Sequence, residues 1–134
     1  MATEDPAEPK PVHWAGSSHN DLRRLPRRVV REVGYALWFA QVGDKHPSAK
    51  PLKGFEGSGV LETVENHAGD TYRAVYTVRF AKAIYVLDVF QKKSKSGVKT
   101  PKHDIELIEA RLKWAEADYK EWLKETNHEG TSTQ

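Results

Sequence analysis

Residues 70–102, DTYRAVYTVRFAKAIYVLDVFQKKSKSGVKTPK, decide how the rest of this chain is organised. Tyr72, Ala74, Tyr76 and Val78 alternate with Arg73, Val75, Thr77 and Arg79, the period of two of a strand whose faces meet different surroundings. Residues 83–91 are almost wholly apolar or aromatic, as in a central strand covered on both sides. Asp88 interrupts that run, and a carboxylate there needs a partner. The composition then changes abruptly: residues 92–102 hold five lysines and no carboxylate. A sheet that delivers such a cluster from its last strand is suited to holding phosphates.

Upstream, residues 60–65 read as a further strand and residues 67–70 as a turn, which completes an antiparallel meander. Residues 43–59 are rich in Gly, Pro and Lys, and a loop that long is often functional or mobile. Before it, Leu22, Leu25, Val29, Val33 and Leu37 form one apolar stripe at helical spacing. Pro26 falls inside the stripe and divides a short helix from a longer one, because proline lacks an amide donor and clashes with the preceding turn. Ser17 or Ser18 offers an N-cap, with Asp21 close behind. Arg23, Arg24, Arg27, Arg28 and Arg31 fall mostly off the stripe and make an exposed basic face. Residues 11–14 fit a short edge strand that starts with a proline.

Downstream, Pro101 suits the first turn of a helix, and Ile105, Ile108, Leu112, Ala115, Tyr119 and Trp122 give that helix its apolar stripe. The expected division is a disordered tail over residues 1–9, one domain over 10–126 and a frayed tail over 127–134. The element order is β-α-α-β-β-β-α, an α+β layout with helices packed on a meander.

At 134 residues the chain suits one domain with a core of its own. It has no cysteine, which excludes disulfides and thiolate metal sites. No apolar run approaches a membrane span, and the first ten residues lack the apolar centre of a signal peptide. A soluble, cytoplasmic protein is the expectation. The net charge of +2 hides an asymmetry. Residues 10–31 carry six basic groups and one acidic group, whereas residues 104–129 carry eight acidic and four basic.

The pieces LKGFEGSGVLE, DTYRAVYTVRF, AIYVLDVFQKKSK and TPKHDIELIEAR, in this order, resemble the phage-derived branch of the RelE/HigB-type toxins of bacterial type II toxin–antitoxin systems. The opening VHWAGSSHNDLRRLP resembles the start of that family too, so the likeness covers roughly residues 11–124. The resemblance implies a RelE-like fold, a twisted antiparallel sheet with an N-terminal helical pair and a C-terminal helix. It implies an endoribonuclease that cuts messenger RNA, often on the ribosome, without a metal or other cofactor. The implied partner is an antitoxin, commonly a helix-turn-helix protein. Two departures stand out. Relatives often carry an arginine soon after the Leu-Glu pair of the first meander strand, where this chain has Thr63-Val64-Glu65. The basic segment SKSGVKTP is also longer than expected.

Cleavage of RNA without metal needs activation of the ribose 2′-OH, cations on the phosphorane oxygens and an acid for the 5′-oxygen. The resemblance assigns Arg73, Lys92, Lys93 and Lys53 to catalysis, with Lys50, Lys95 and Lys99 as further contacts to RNA phosphates. Arg73 has a competing role, because an inward arginine on a mid-sheet strand also suits a pair with Asp88 or Glu62. No residue stands out as proton carrier among His103, His67, Tyr85 and Tyr76. Trp38, Trp114 and Trp122 sit at helical positions that suit core packing or antitoxin contact. Two other functions are compatible with the same fold: a ParE-like inhibitor of DNA gyrase, and a non-enzymatic nucleic-acid-binding module.

Overall fold

The structure is a computed structural model that describes residues 8–92 and 100–132, the side chains from residue 128 onward excepted. The elements are β1 (Val12–Trp14), α1 (Ser18–Arg23), α2 (Arg27–Gln41), β2 (Lys50–Pro51), β3 (Val60–His67), β4 (Asp70–Thr77), β5 (Ile84–Lys92) and α3 (Lys102–Ser132). They build one sheet of order β1-β5-β4-β3-β2. None of the described helices is long and apolar enough to cross a membrane.

The meander pairs antiparallel from β5 through β4 and β3 to β2, while β1 joins the other edge parallel to β5. The expected antiparallel meander is present, and the parallel β1 makes the sheet mixed at that edge. A parallel neighbour requires a crossover, and the α1–α2 pair with the meander behind it supplies one. The long loop before β3 contains the two-residue strand β2, where Lys50 pairs with Glu62 and Pro51 with Leu61. Pro51 is tolerated there because β2 is an edge.

Pro26 stands at the N-cap of α2 in an extended conformation (φ −56°, ψ 144°), so the α1–α2 break falls where the sequence placed it. Ser17 takes the N-cap position of α1, and its hydroxyl donates to the Asp21 carboxylate at 2.8 Å. Ser18 is buried, with its hydroxyl directed to the Val86 carbonyl.

The two sheet faces carry separate apolar layers. Leu22, Val29, Val33 and Leu37 pack with Tyr72, Ala74 and Tyr76 on one face. Val75, Tyr85, Leu87, Ile108 and Ala115 pack on the other, beneath α3. A bulge in β5 reconciles the alternation on both sides: Val75 faces Asp88, but Tyr76 faces Val86. Leu87 and Asp88 thus both turn toward α3, and every residue beyond them changes face relative to the residues before.

Tyr85 is fully buried, and its hydroxyl donates to Asp118 at 2.6 Å. His13 Nδ1 lies 3.7 Å from the same carboxylate, so β1, β5 and α3 meet at one point. The helix continues to Ser132, past Asn127, where a frayed tail was expected from polarity. The backbone ladder of a helix needs no apolar stripe, so the loss of that stripe after Trp122 does not end the helix.

The β3–β4 hairpin turns on two residues, Ala68 (φ 51°) and Gly69 (φ 85°). Two positive φ angles define a type I′ turn, in which an alanine is strained and Asn-Gly is the favoured pair. Ala68→Asn is expected to raise stability by about 0.5–1 kcal/mol, measured by urea denaturation. An unchanged or lower midpoint would contradict this turn geometry.

Candidate functional site

Strand alternation and register gather several charged groups at one corner of the α3-facing sheet surface. On β3 this face takes Glu62, on β4 Arg73, on β2 Lys50, and on β5, beyond the bulge, Lys92. Lys50 lies opposite Glu62, Arg73 opposite Phe90, and Lys92 opposite Thr71. Thr100, just before α3, closes the corner with its hydroxyl 3.3 Å from Arg73 Nη1.

At the centre is an ion pair: Arg73 Nη1 donates to Glu62 Oε1 at 2.7 Å. Both side chains are buried, Arg73 with 5% of its surface exposed. Of the two intramolecular partners open to Arg73, Glu62 is the one it takes. Asp88 instead lies 3.8 Å from Arg111 of α3. A buried guanidinium needs an anion of some kind, and the protein supplies its own. In this arrangement the guanidinium sits behind the surface.

Lys92 is half-buried in front of that pair. Partial burial, and then the neighbouring Arg73 charge, hold its ammonium below the usual lysine range, with Glu62 opposing. A lysine so placed binds an oxyanion and parts with its proton more readily than a solvated one. Lys50 is exposed beside Glu62, and Lys53 is exposed on the turn that follows β2. Lys93, Lys95 and Lys99, the other expected phosphate contacts, lie outside the described residues.

The four groups considered as proton carriers fare differently. Tyr76 and Tyr85 are both buried. Burial pushes the Tyr76 phenol up to about 12. Burial and then the Asp118 contact raise Tyr85 well above the ordinary phenol range. Neither faces solvent. His67 pairs with Asp70 at the hairpin end, and alternation turns it to the opposite face from Glu62. His103 is exposed in the first turn of α3.

A second ionisable group lies deeper along the same face. Asp88 is 3% exposed, and its pKa is pushed up to about 8. Burial is the main cause, then a hydrogen bond to and the charge of Asp104, with Asp21 adding and Arg111 opposing. Arg111 also donates to the Leu87 carbonyl at 2.8 Å, across the bulge. The sequence marked Asp88 as needing a partner. Its partners Asp104 and Arg111 lie further along the chain on α3, and only the bulge turns Asp88 toward them. Glu62 was one of two carboxylates open to Arg73, whereas Thr100 was not recognisable as part of the corner. The alternation of β3 gave Glu62 a face, but not which strand lay beside it.

A family model described as "Phage derived protein Gp49-like" matches residues 20–113. Among solved structures, the chain is similar to the Escherichia coli toxin RelE, a double arginine-to-alanine mutant in the free state. The TM-score is 0.51 at 17% identity, over 78% of this chain and 96% of that one. It is also similar to the toxin–antitoxin complex RelBE2 from Mycobacterium tuberculosis, with a TM-score of 0.41 at 22% identity, over 68% of this chain and 100% of that one. No curated protein sequence matches it significantly.

Proposed function

The chain belongs to the phage-derived Gp49-like family, and from that membership and its RelE-like fold we propose that it is the toxin half of a toxin–antitoxin pair, a metal-independent endoribonuclease that cuts messenger RNA on the translating ribosome. The observation that carries this reading is the corner where Lys92 and Lys50 stand in front of the Arg73–Glu62 pair. An excess of positive charge at one corner of the sheet suits the backbone of a single RNA strand.

The ribose 2′-hydroxyl gives its proton to solvent water, which later reprotonates Lys92, as its oxygen attacks the adjacent phosphorus; the bond to the 5′-oxygen breaks, and a 2′,3′-cyclic phosphate and a 5′-hydroxyl result. Lys92 takes the phosphorane oxygens and passes its proton to the departing 5′-oxygen. Partial burial, and then the Arg73 charge behind it, keep Lys92 below its usual pKa, and Glu62 fixes the guanidinium in place. Lys50 and Lys53, with Lys93, Lys95 and Lys99, steer the RNA strand. The partner is an antitoxin encoded beside this chain.

Purified protein in a translating extract is expected to create new RNA 5′ ends, with chelator present or absent. Lys92→Met is expected to slow cleavage about 100-fold while the unfolding midpoint stays unchanged. Cleavage at the wild-type rate by that variant would remove Lys92 from the mechanism. A protein that leaves all RNA ends intact but blocks supercoiling by DNA gyrase would instead be a ParE-like inhibitor.

A further inference from the structure

Helix α2 is apolar on two sides. Its inner side, Val29, Val33, Ala36, Leu37 and Ala40, is buried against the sheet. Its outer side also carries large apolar groups: Tyr35, Trp38 and Val42 are 53%, 48% and 36% exposed. Their spacing places them in one row. The same row continues toward the N-terminus through Arg31 and Arg27, both exposed. Gly34 lies beside it, and a Cβ added there would meet nothing within 4 Å, so another backbone has room to approach. One end of the row is aromatic and the other cationic, within a single helix.

We propose that this outer face of α2 is the docking surface of a separate polypeptide, which presents an amphipathic helix with apolar side chains for Tyr35, Trp38 and Val42 and carboxylates for Arg27 and Arg31. Tryptophan, tyrosine and arginine are the residues that dominate protein–protein binding energy. Arginine also pairs carboxylates in a fixed two-pronged geometry. An RNA strand would use the arginines and stack on the rings, but it gives Val42 nothing to pack against. Among the described residues, Lys50 and Lys92 stand on the other face of the sheet, where phosphate binding is proposed. Because α2 covers the Tyr72–Ala74–Tyr76 side of the sheet, its partner leaves the Lys92 corner uncovered.

The probe is the polypeptide encoded by the adjacent reading frame, a choice that rests on the toxin–antitoxin reading. Calorimetric titration is expected to show Trp38→Ala and Tyr35→Ala each weakening binding about 30-fold or more. Arg27→Glu with Arg31→Glu is expected to weaken it more at low salt than at high salt. All these positions are exposed, so thermal unfolding is expected to stay unchanged and serves as the control. Wild-type binding that survives all the substitutions within threefold overturns the surface and leaves the toxin–antitoxin reading standing. Absence of binding by the wild-type chain overturns both. The surface is also overturned if Trp38→Ala abolishes self-association of the chain, or its binding to ribosomes, while the adjacent polypeptide still binds.

Discussion

Glu62→Ala is expected to lower folding stability by about 3–5 kcal/mol, because it leaves the Arg73 guanidinium in the interior without its carboxylate. Thr100, a neutral acceptor 3.3 Å away, does not replace that carboxylate. Equilibrium urea denaturation at neutral pH measures the loss. The double variant Glu62→Leu with Arg73→Met is expected to regain most of it, since an apolar pair of similar volume replaces a desolvated ion pair at little cost. The single and double variants together separate folding from function. If Arg73 acts on RNA through Lys92, the double variant folds well and still cleaves poorly. A Glu62→Ala loss below about 1 kcal/mol would mean that the pair behaves as a solvated one.

Asp88→Asn is expected to stabilise the protein, most strongly near pH 8. The sign follows from the raised pKa. In the folded state Asp88 keeps its proton up to about pH 8, whereas in the unfolded chain it releases it near 3.8. Between those values the native state binds more protons than the unfolded state, so native stability falls as pH rises, by up to about 1.4 kcal/mol per pH unit. Asparagine holds no titrating proton, and it keeps a neutral side chain among Asp104, Asp21 and Arg111. The gain at pH 8 is expected to be on the order of a few kcal/mol. Thermal or urea unfolding from pH 4 to pH 8 is expected to slope downward in the wild type and to flatten in the variant. Parallel profiles would show that Asp88 does not hold the proton.

Most of the architecture was legible in local patterns. The alternation from Tyr72 to Arg79 set the two faces of β4, Pro26 set the break between α1 and α2, and the stripe from Ile105 to Trp122 set the buried side of α3. These features depend on neighbours a few residues apart. What stayed hidden depends on partners far apart in sequence. Nothing near Val12 indicates that it lies beside Ile84, and β2 forms only because Glu62 and Leu61 present an open edge to Lys50 and Pro51. The candidate site was legible in residue type but not in arrangement. Arg73 and Lys92 were legible, and so were Asp88 and Glu62 as alternative anions for Arg73, but the choice of Glu62 follows from cross-strand register. The inward turn of Asp88 follows from a one-residue bulge that no periodicity reveals.

The parallel pairing of β1 with β5 also orders events during synthesis. Val12 leaves the ribosome long before Ile84, its register partner, exists. Contacts of such wide separation form late in folding. During translation the first strand and the two following helices lack the strand that anchors them, and the Lys92 corner needs both the end of β5 and the start of α3. A nascent chain therefore lacks the corner until nearly all of it has emerged. Any truncation before α3 yields a product that cannot assemble the corner, so the cluster of charges is withheld until the last helix has been made.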